Sequence, residues 1–157
     1  MSVERATVVF DCSVFARALI NPYGPAGACV TAAQRGQVRL VVCEDILAEV
    51  LELPLKLPPR RGVTAEHVHR LIADLTTYAE PVLTVPRVVD LPADPDDAVY
   101  LNLAIAVGAR WLLTNDQHLL AVMATGHESR GQVEAACPGL EIVTPEVWLR
   151  GGLGAGA

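Results

Sequence analysis

The run "ATVVF", from Ala6 to Phe10, is rich in β-formers and continuously apolar, and Asp11 ends it. It lacks the in–out alternation of a strand with one wet face. A short run of this kind fits a central strand of a parallel sheet, buried on both sides. Such a strand needs helices over both faces, and the remainder of the chain must supply them.

The chain does so in alternating order. "SVFARALI" has helical spacing, and Ser13 is placed to cap it. "NPYGP" is a turn, and "AGACVTAAQRG" reads as a second helix stopped by Gly36. "VRLVVC", Val38 to Cys43, is a second strand, and the helix "EDILAEVLEL" is closed by Pro54. "KLPPRRG" is a linker. The helix from Thr64 ends before Pro81, and its capping box is incomplete because His67 stands where an acid is expected. "VLTV" and "VVDL" are short β-like pieces around Pro86. A helix running to Val107 then stops at Gly108, and Trp111 to Leu113 form a strand. "DQHLLAVMA" is a short helix, "LEIVT" a last strand, and "PEVWLR" a final helical turn that starts at Pro145. This order predicts a three-layer α/β/α sandwich around a central, mainly parallel sheet. Residues 1–150 are expected to form one domain, followed by a flexible Gly/Ala tail over 151–157.

With 157 residues, 52% of them hydrophobic, the chain can bury one real core. No apolar run reaches the length of a membrane span, and Glu4 sits where a secretory leader would be basic, so a cytoplasmic protein with no membrane partner is expected. The widely spaced Cys12, Cys29, Cys43 and Cys137 fit buried free thiols better than disulfides or a zinc site. The net charge of -6 argues against a broad nucleic-acid surface, leaving at most a local rim in which Arg17, Arg60 and Arg61 are candidates. The Ala-rich second helix and "VFARALI" would offer apolar surface for a homo-oligomer.

The acids carry the chemical signal. In an open α/β sheet the functional edge lies at the carboxyl ends of the strands. Asp11 follows the first strand and Asp116 follows "WLLTN", although each also suits a helix cap. Glu49 lies at the margin of the arc made by Ile46, Leu47, Val50, Leu51 and Leu53. In "DPDD", Asp97 best fits a rigid first-turn position on the apolar helix behind it, while Asp94 and Asp96 read as turn and cap residues. Carboxylates from four segments repel one another if they converge, and a hard divalent cation, Mg²⁺ or Mn²⁺, resolves that repulsion.

Jointly these segments resemble the PIN-domain family of metal-dependent nucleases, in particular its toxin-like (VapC-like) branch. "VVFDCSVFARALI" is similar to the family opening, "LVVCEDILAEVLEL" to the segment carrying the family glutamate, and "DPDDAVYLNLAIAVGARWLLTND" to its central stretch. "LEIVTPEVWL" is similar to the usual last strand and closing turn, so the resemblance spans roughly residues 7 to 149. It implies a Mg²⁺- or Mn²⁺-dependent endoribonuclease in which Asp11, Glu49, Asp97 and Asp116 are the catalytic and metal-binding residues. It further implies an RNA substrate and a small antitoxin protein as partner. Three departures stand out: Cys12 where the family has Thr, Ser13 where it often has Asn, and His118 where it often has a further aspartate. The stretch from Ala124 to Gly139 also looks longer than usual. The alternative is a catalytically degenerate PIN-like binding or structural module. An aspartate-nucleophile phosphotransfer domain ranks low because Ser13 stands where a second aspartate would be needed. A dinucleotide-binding domain ranks lower still, since the first turn lacks Gly-x-Gly-x-x-Gly.

Overall fold

The computed structural model describes residues 4–92 and 94–152. Five parallel strands form one sheet: β1 (Thr7–Phe10), β2 (Arg39–Cys43), β3 (Glu80–Val82), β4 (Trp111–Leu113) and β5 (Glu141–Val143), in the order β3-β2-β1-β4-β5. The run that begins the chain's fold is the middle strand, and Val8, Val9 and Phe10 are fully buried. Burial of each such side chain favours folding by about 1.5–3 kcal/mol. β1 pairs with β2 through Thr7↔Arg39, Val8↔Leu40 and Val9↔Val41, and with β4 through Val8↔Trp111, Val9↔Leu112 and Phe10↔Leu113.

Connections from β1 through β3 move one way along the sheet, and those from β3 through β5 move the other. Right-handed crossovers therefore place their helices on opposite faces. One layer holds α1 (Cys12–Ile20), α2 (Pro25–Gln34), α3 (Glu44–Leu51), α4 (Leu53–Lys56) and α5 (Ala65–Tyr78), which pack on one another. The other holds α6 (Ala98–Val107) against α8 (Arg130–Ala136). Short α7 (Gln117–Ala121) follows β4, and α9 (Pro145–Val147) follows β5 and meets α2. The result is an α/β/α sandwich with a parallel sheet at its centre. The direction of connection reverses between neighbouring β1 and β4, so their carboxyl ends flank the crevice where such sheets place ligands. No helix among the described residues is long and apolar enough to cross a membrane.

Several local expectations change. Asp11, not Ser13, caps α1, accepting from the Val14 amide. Ser13 lies inside the first turn. Pro54 does not close a helix from its end: α3 stops at Leu51, and Pro54 opens α4, where its missing N–H is harmless. The linker contains a 3₁₀ turn, Pro59–Arg61. His67 completes the capping box that seemed to need an acid, because its Nδ1 accepts from the Thr64 amide at 3.3 Å while Thr64 Oγ1 accepts from the His67 amide at 3.2 Å. Neither "VLTV" nor "VVDL" is a strand. The edge position is taken by Glu80–Val82, whose Pro81 is tolerable on an outer strand. "VVDL" is instead pinned by buried Asn102, whose Oδ1 accepts from the Val88 and Val89 amides, each at 2.9 Å, and whose Nδ2 donates to Val89 O at 3.0 Å.

Gly108 ends α6 in the left-handed region at φ +60, a conformation that disfavours any side chain, and the chain turns there into β4. The stretch 124–139 contains α8. Of the expected tail, Gly151 and Gly152 belong to a π turn, Trp148–Gly152, and 153–157 lie outside the described residues. The segments expected to offer apolar surface bury it internally: Val14, Phe15, Ala16 and Ala18 of α1 and Cys29, Ala32 and Ala33 of α2 all join the core. All four cysteines are free thiols, with Cys12 half-buried and the others buried.

Candidate metal centre

β1 and β4 deliver their following residues to the same crevice. The ladder continues one step past the strands, with the Asp11 amide donating to Leu113 O at 3.0 Å and the Thr114 amide donating to Val143 O at 3.0 Å. Asp11, only 3% exposed, is held there by a closed set of donors. The Ser13 hydroxyl and the Val14 amide donate to its Oδ1, and the Thr114 hydroxyl donates to its Oδ2. Those hydroxyls also accept, Ser13 Oγ from the Asn115 amide at 3.1 Å and Thr114 Oγ1 from the Asp116 amide at 2.9 Å. Ser13 and Thr114 thus tie the corner after β1 to the turn after β4. Burial raises the Asp11 pKa, and the hydrogen bonds from Ser13, Thr114 and Val14 oppose that rise. A carboxylate offers about four lone-pair sites, and three donors engage this one, so Oδ2 retains acceptor capacity.

Asp116 caps α7, its Oδ1 accepting from the amides of His118 at 2.8 Å and Leu119 at 3.3 Å. Opposite it, Pro95–Asp97 forms a 3₁₀ turn closed by Asp97 N donating to Asp94 O at 3.1 Å, and α6 begins directly after. Neither Asp94 nor Asp97 uses its side chain as a cap. Their carboxylates turn instead toward Asp116, and one oxygen from each of the three residues lies within 4.8 Å of the others. Asp94, read from sequence as a turn residue, is a turn residue in backbone only.

Among the described residues no cation pairs with this group, and Asp97 Oδ2 is buried without a hydrogen-bond partner. Its pKa is pushed up to about 8, first by burial and then by the charges of Asp116, Asp94 and Asp11. Three half-buried carboxylates with an orphaned oxygen fit a hard divalent cation, which takes oxygen ligands and relieves the repulsion that otherwise holds a proton on Asp97. The triad can therefore coordinate such an ion.

Glu49 does not join the triad. From the margin of α3 its Oε2 accepts from the Tyr100 hydroxyl at 2.7 Å. The Tyr100 oxygen itself accepts from the Cys12 amide at 3.2 Å. Glu49 also lines a cleft of about 430 Å³ with Pro95, Asp96 and Arg87. Burial, then the bond to Glu49, raises the Tyr100 pKa, so the phenol keeps its proton. The Cys12 thiol is pushed up to about 12 by burial and by Glu49 and Asp11, which removes it as a thiolate nucleophile or ligand near neutral pH. His118 is exposed on α7 and meets Asp116 through its backbone amide.

On the other flank, a cleft of about 510 Å³ is lined by Ser13, Arg17, Arg61 and Glu146 among others. Arg60 sits on the same 3₁₀ turn as Arg61. None of these three arginines forms an ion pair among the described residues, whereas Arg39, Arg70, Arg87 and Arg130 do.

Thr114, Tyr100 and Asp94 escaped the sequence reading. Thr114 had a usable signal, a hydroxyl directly after an apolar strand and two positions before Asp116. Tyr100 had none, since its ring fills an apolar position of α6 and only the buried oxygen is polar.

A parallel α/β/α sandwich with a carboxylate cluster at its switch point has the architecture of a metal-binding or metal-dependent catalytic domain. A model of the PIN domain matches residues 7–118, well over half of the chain, and the chain belongs to that family. The match takes in β1 through the start of α7 and includes Asp11, Glu49, Asp94, Asp97 and Asp116. Comparison with curated proteins gives no match.

Proposed function

We propose that this protein is a Mg²⁺- or Mn²⁺-dependent endoribonuclease, acting as the toxin of a toxin–antitoxin pair. The observation that carries the reading is the Asp94–Asp97–Asp116 cluster, with its buried, unpartnered Asp97 oxygen, at the β1/β4 crevice of a PIN domain. Asp97, Asp116 and Asp94 would hold the cation, and Asp11 and Glu49 would accept hydrogen bonds from water bound to it. A divalent ion in such a site activates water and neutralises charge on a phosphodiester in the transition state. The chain's own contribution is positioning. Ser13 and Thr114 fix Asp11, the α7 amides fix Asp116, and the 3₁₀ turn fixes Asp94 and Asp97. The unpaired Arg17 and Arg61 beside Ser13 receive the phosphates flanking the cut, offsetting the acidic net charge locally.

The test uses purified protein and end-labelled single-stranded RNA, with and without Mn²⁺, alongside Asp97→Asn and Asp11→Asn. Metal-dependent cleavage that both substitutions abolish is the expected result. Cleavage persisting in Asp97→Asn points to a contaminant or another site. Manganese binding without cleavage leaves the degenerate binding module as the better reading, which the exposed His118 in place of a family acid favours. The toxin assignment is checked by induced expression, which should arrest growth for the native chain and not for Asp97→Asn. An antitoxin protein, a homo-oligomeric state and a cytoplasmic setting complete the proposal.

A further inference from the structure

We infer that Tyr100 is a positioning residue that presents Glu49 to the metal centre and sets its distance from Asp11 and Asp97. The inference rests on the metal-dependent reading above and extends it to a residue with no ligand role of its own.

The Tyr100 side chain is 2% exposed, yet its hydroxyl is fully employed, donating to Glu49 Oε2 at 2.7 Å and accepting from the Cys12 amide at 3.2 Å. Cys12 is the first residue of α1, so that amide has no partner within its own helix. The bond from it polarises the phenol and strengthens the O–H donated to Glu49. A single oxygen thereby joins α1, α6 and α3, which come from both layers of the sandwich. Cys12 adjoins Asp11 in the chain. Asp97 precedes Tyr100 by three positions, in the 3₁₀ turn that leads directly into α6. The phenol is thus bonded directly to Glu49 and is linked to Asp11 through the Cys12 amide and to Asp97 through the chain. The Glu49 carboxylate has no other hydrogen bond among the described residues, so without the phenol this flexible side chain is free to swing into the cleft beside Asp96. With the bond, Oε2 is held and Oε1 remains available.

Tyr100→Phe keeps the ring and removes the bond. Calorimetric titration with Mn²⁺ alone, melting in EDTA, and kcat and KM on single-stranded RNA are measured for the native chain, Tyr100→Phe, Glu49→Gln and the double variant. Loss of a residue that orients a metal-site group typically weakens metal binding by about 10–100-fold. Tyr100→Phe is expected to weaken Mn²⁺ binding within that range and to lower kcat with KM little changed. Added to Glu49→Gln it should change nothing further, which a purely packing role would not reproduce. Glu49→Asp, which leaves Tyr100 intact but draws the carboxylate back from the phenol by one methylene, should show the same loss and serves if Tyr100→Phe fails to fold. Native-like Mn²⁺ binding by Tyr100→Phe or by Glu49→Asp overturns the inference, as do additive effects or an inert Glu49→Gln. The two readings fail separately. If the native chain binds Mn²⁺ and Asp97→Asn abolishes this while Tyr100→Phe does not, only the positioning inference is lost. If the native chain binds no Mn²⁺, the metal-dependent reading falls and this inference with it.

Discussion

The corner after β1 and the turn before α6 bring carboxylates to the same edge of the sheet and treat them in opposite ways. Asp11 is the more buried, and three donors from the chain itself engage it. Asp97 is less buried but has an oxygen that nothing among the described residues satisfies, with Asp94 and Asp116 as neighbours. Burial raises the pKa at both, but only at Asp97 do neighbouring acids add to it rather than hydrogen bonds relieving it. The difference separates two uses of a buried charge. One is internally solvated and holds two strands' exits together; the other is left short of a partner that must come from outside.

The strongest break of this contrast is Asp97→Asn. It should lower Mn²⁺-dependent RNA cleavage by at least about 100-fold, since even residues supporting a metal ligand are worth up to that much. The same substitution should raise the melting temperature at pH 7 in EDTA by about 2–8 °C, because folding no longer has to place a proton on a carboxyl that the unfolded chain ionises. Asp11→Ala should do the reverse to stability. It deletes an N-cap and strands the Ser13 and Thr114 hydroxyls, at about 2–4 kcal/mol, measurable by urea denaturation. Asp11→Asn, which can still accept from Val14, should cost less than half of that.

A pH series sharpens the contrast further. The folded-state pKa of Asp97 is raised from 3.8 to about 8, so the folded chain binds a proton that the unfolded chain releases. That contribution to stability is whole below about pH 4 and lost as pH rises through about 8. The metal-free protein should therefore become less stable across this window. Asp97→Asn should flatten the trend, and saturating Mn²⁺ should oppose it by binding the ionised form. The smallest effect is expected remote from the site, where His67→Ala should cost about 0.5–1 kcal/mol by opening the capping box and leave cleavage unchanged.

What could be read from the chain alone follows the physics that each feature depends on. β1 was legible because continuous apolarity has one common use at that length. "VVDL" failed as a strand because its β-like composition says nothing about whether a sheet edge is still vacant, and Asn102 had already supplied its backbone partners. Asp97 and Asp116 were placed by the elements beside them, and both are in the cluster. Asp94 was not, since the direction of a turn carboxylate depends on backbone angles that composition does not reveal. Glu49 was correctly put at a helix margin, but its engagement by Tyr100 needs α6 to cross over the sheet edge, which is a long-range fact.

The clamp between Asp11 and Thr114 joins residues 103 positions apart. At a synthesis rate of about 5–20 residues per second, about 5–20 s separates the addition of the first from that of the second. Throughout that interval a nascent chain carries Asp11 and then Glu49 with no β4 against which to set them, so the carboxylate site cannot assemble before most of the protein has been made. Delayed competence is thus built into the strand order, since the middle strand is made first and its neighbour β4 fourth.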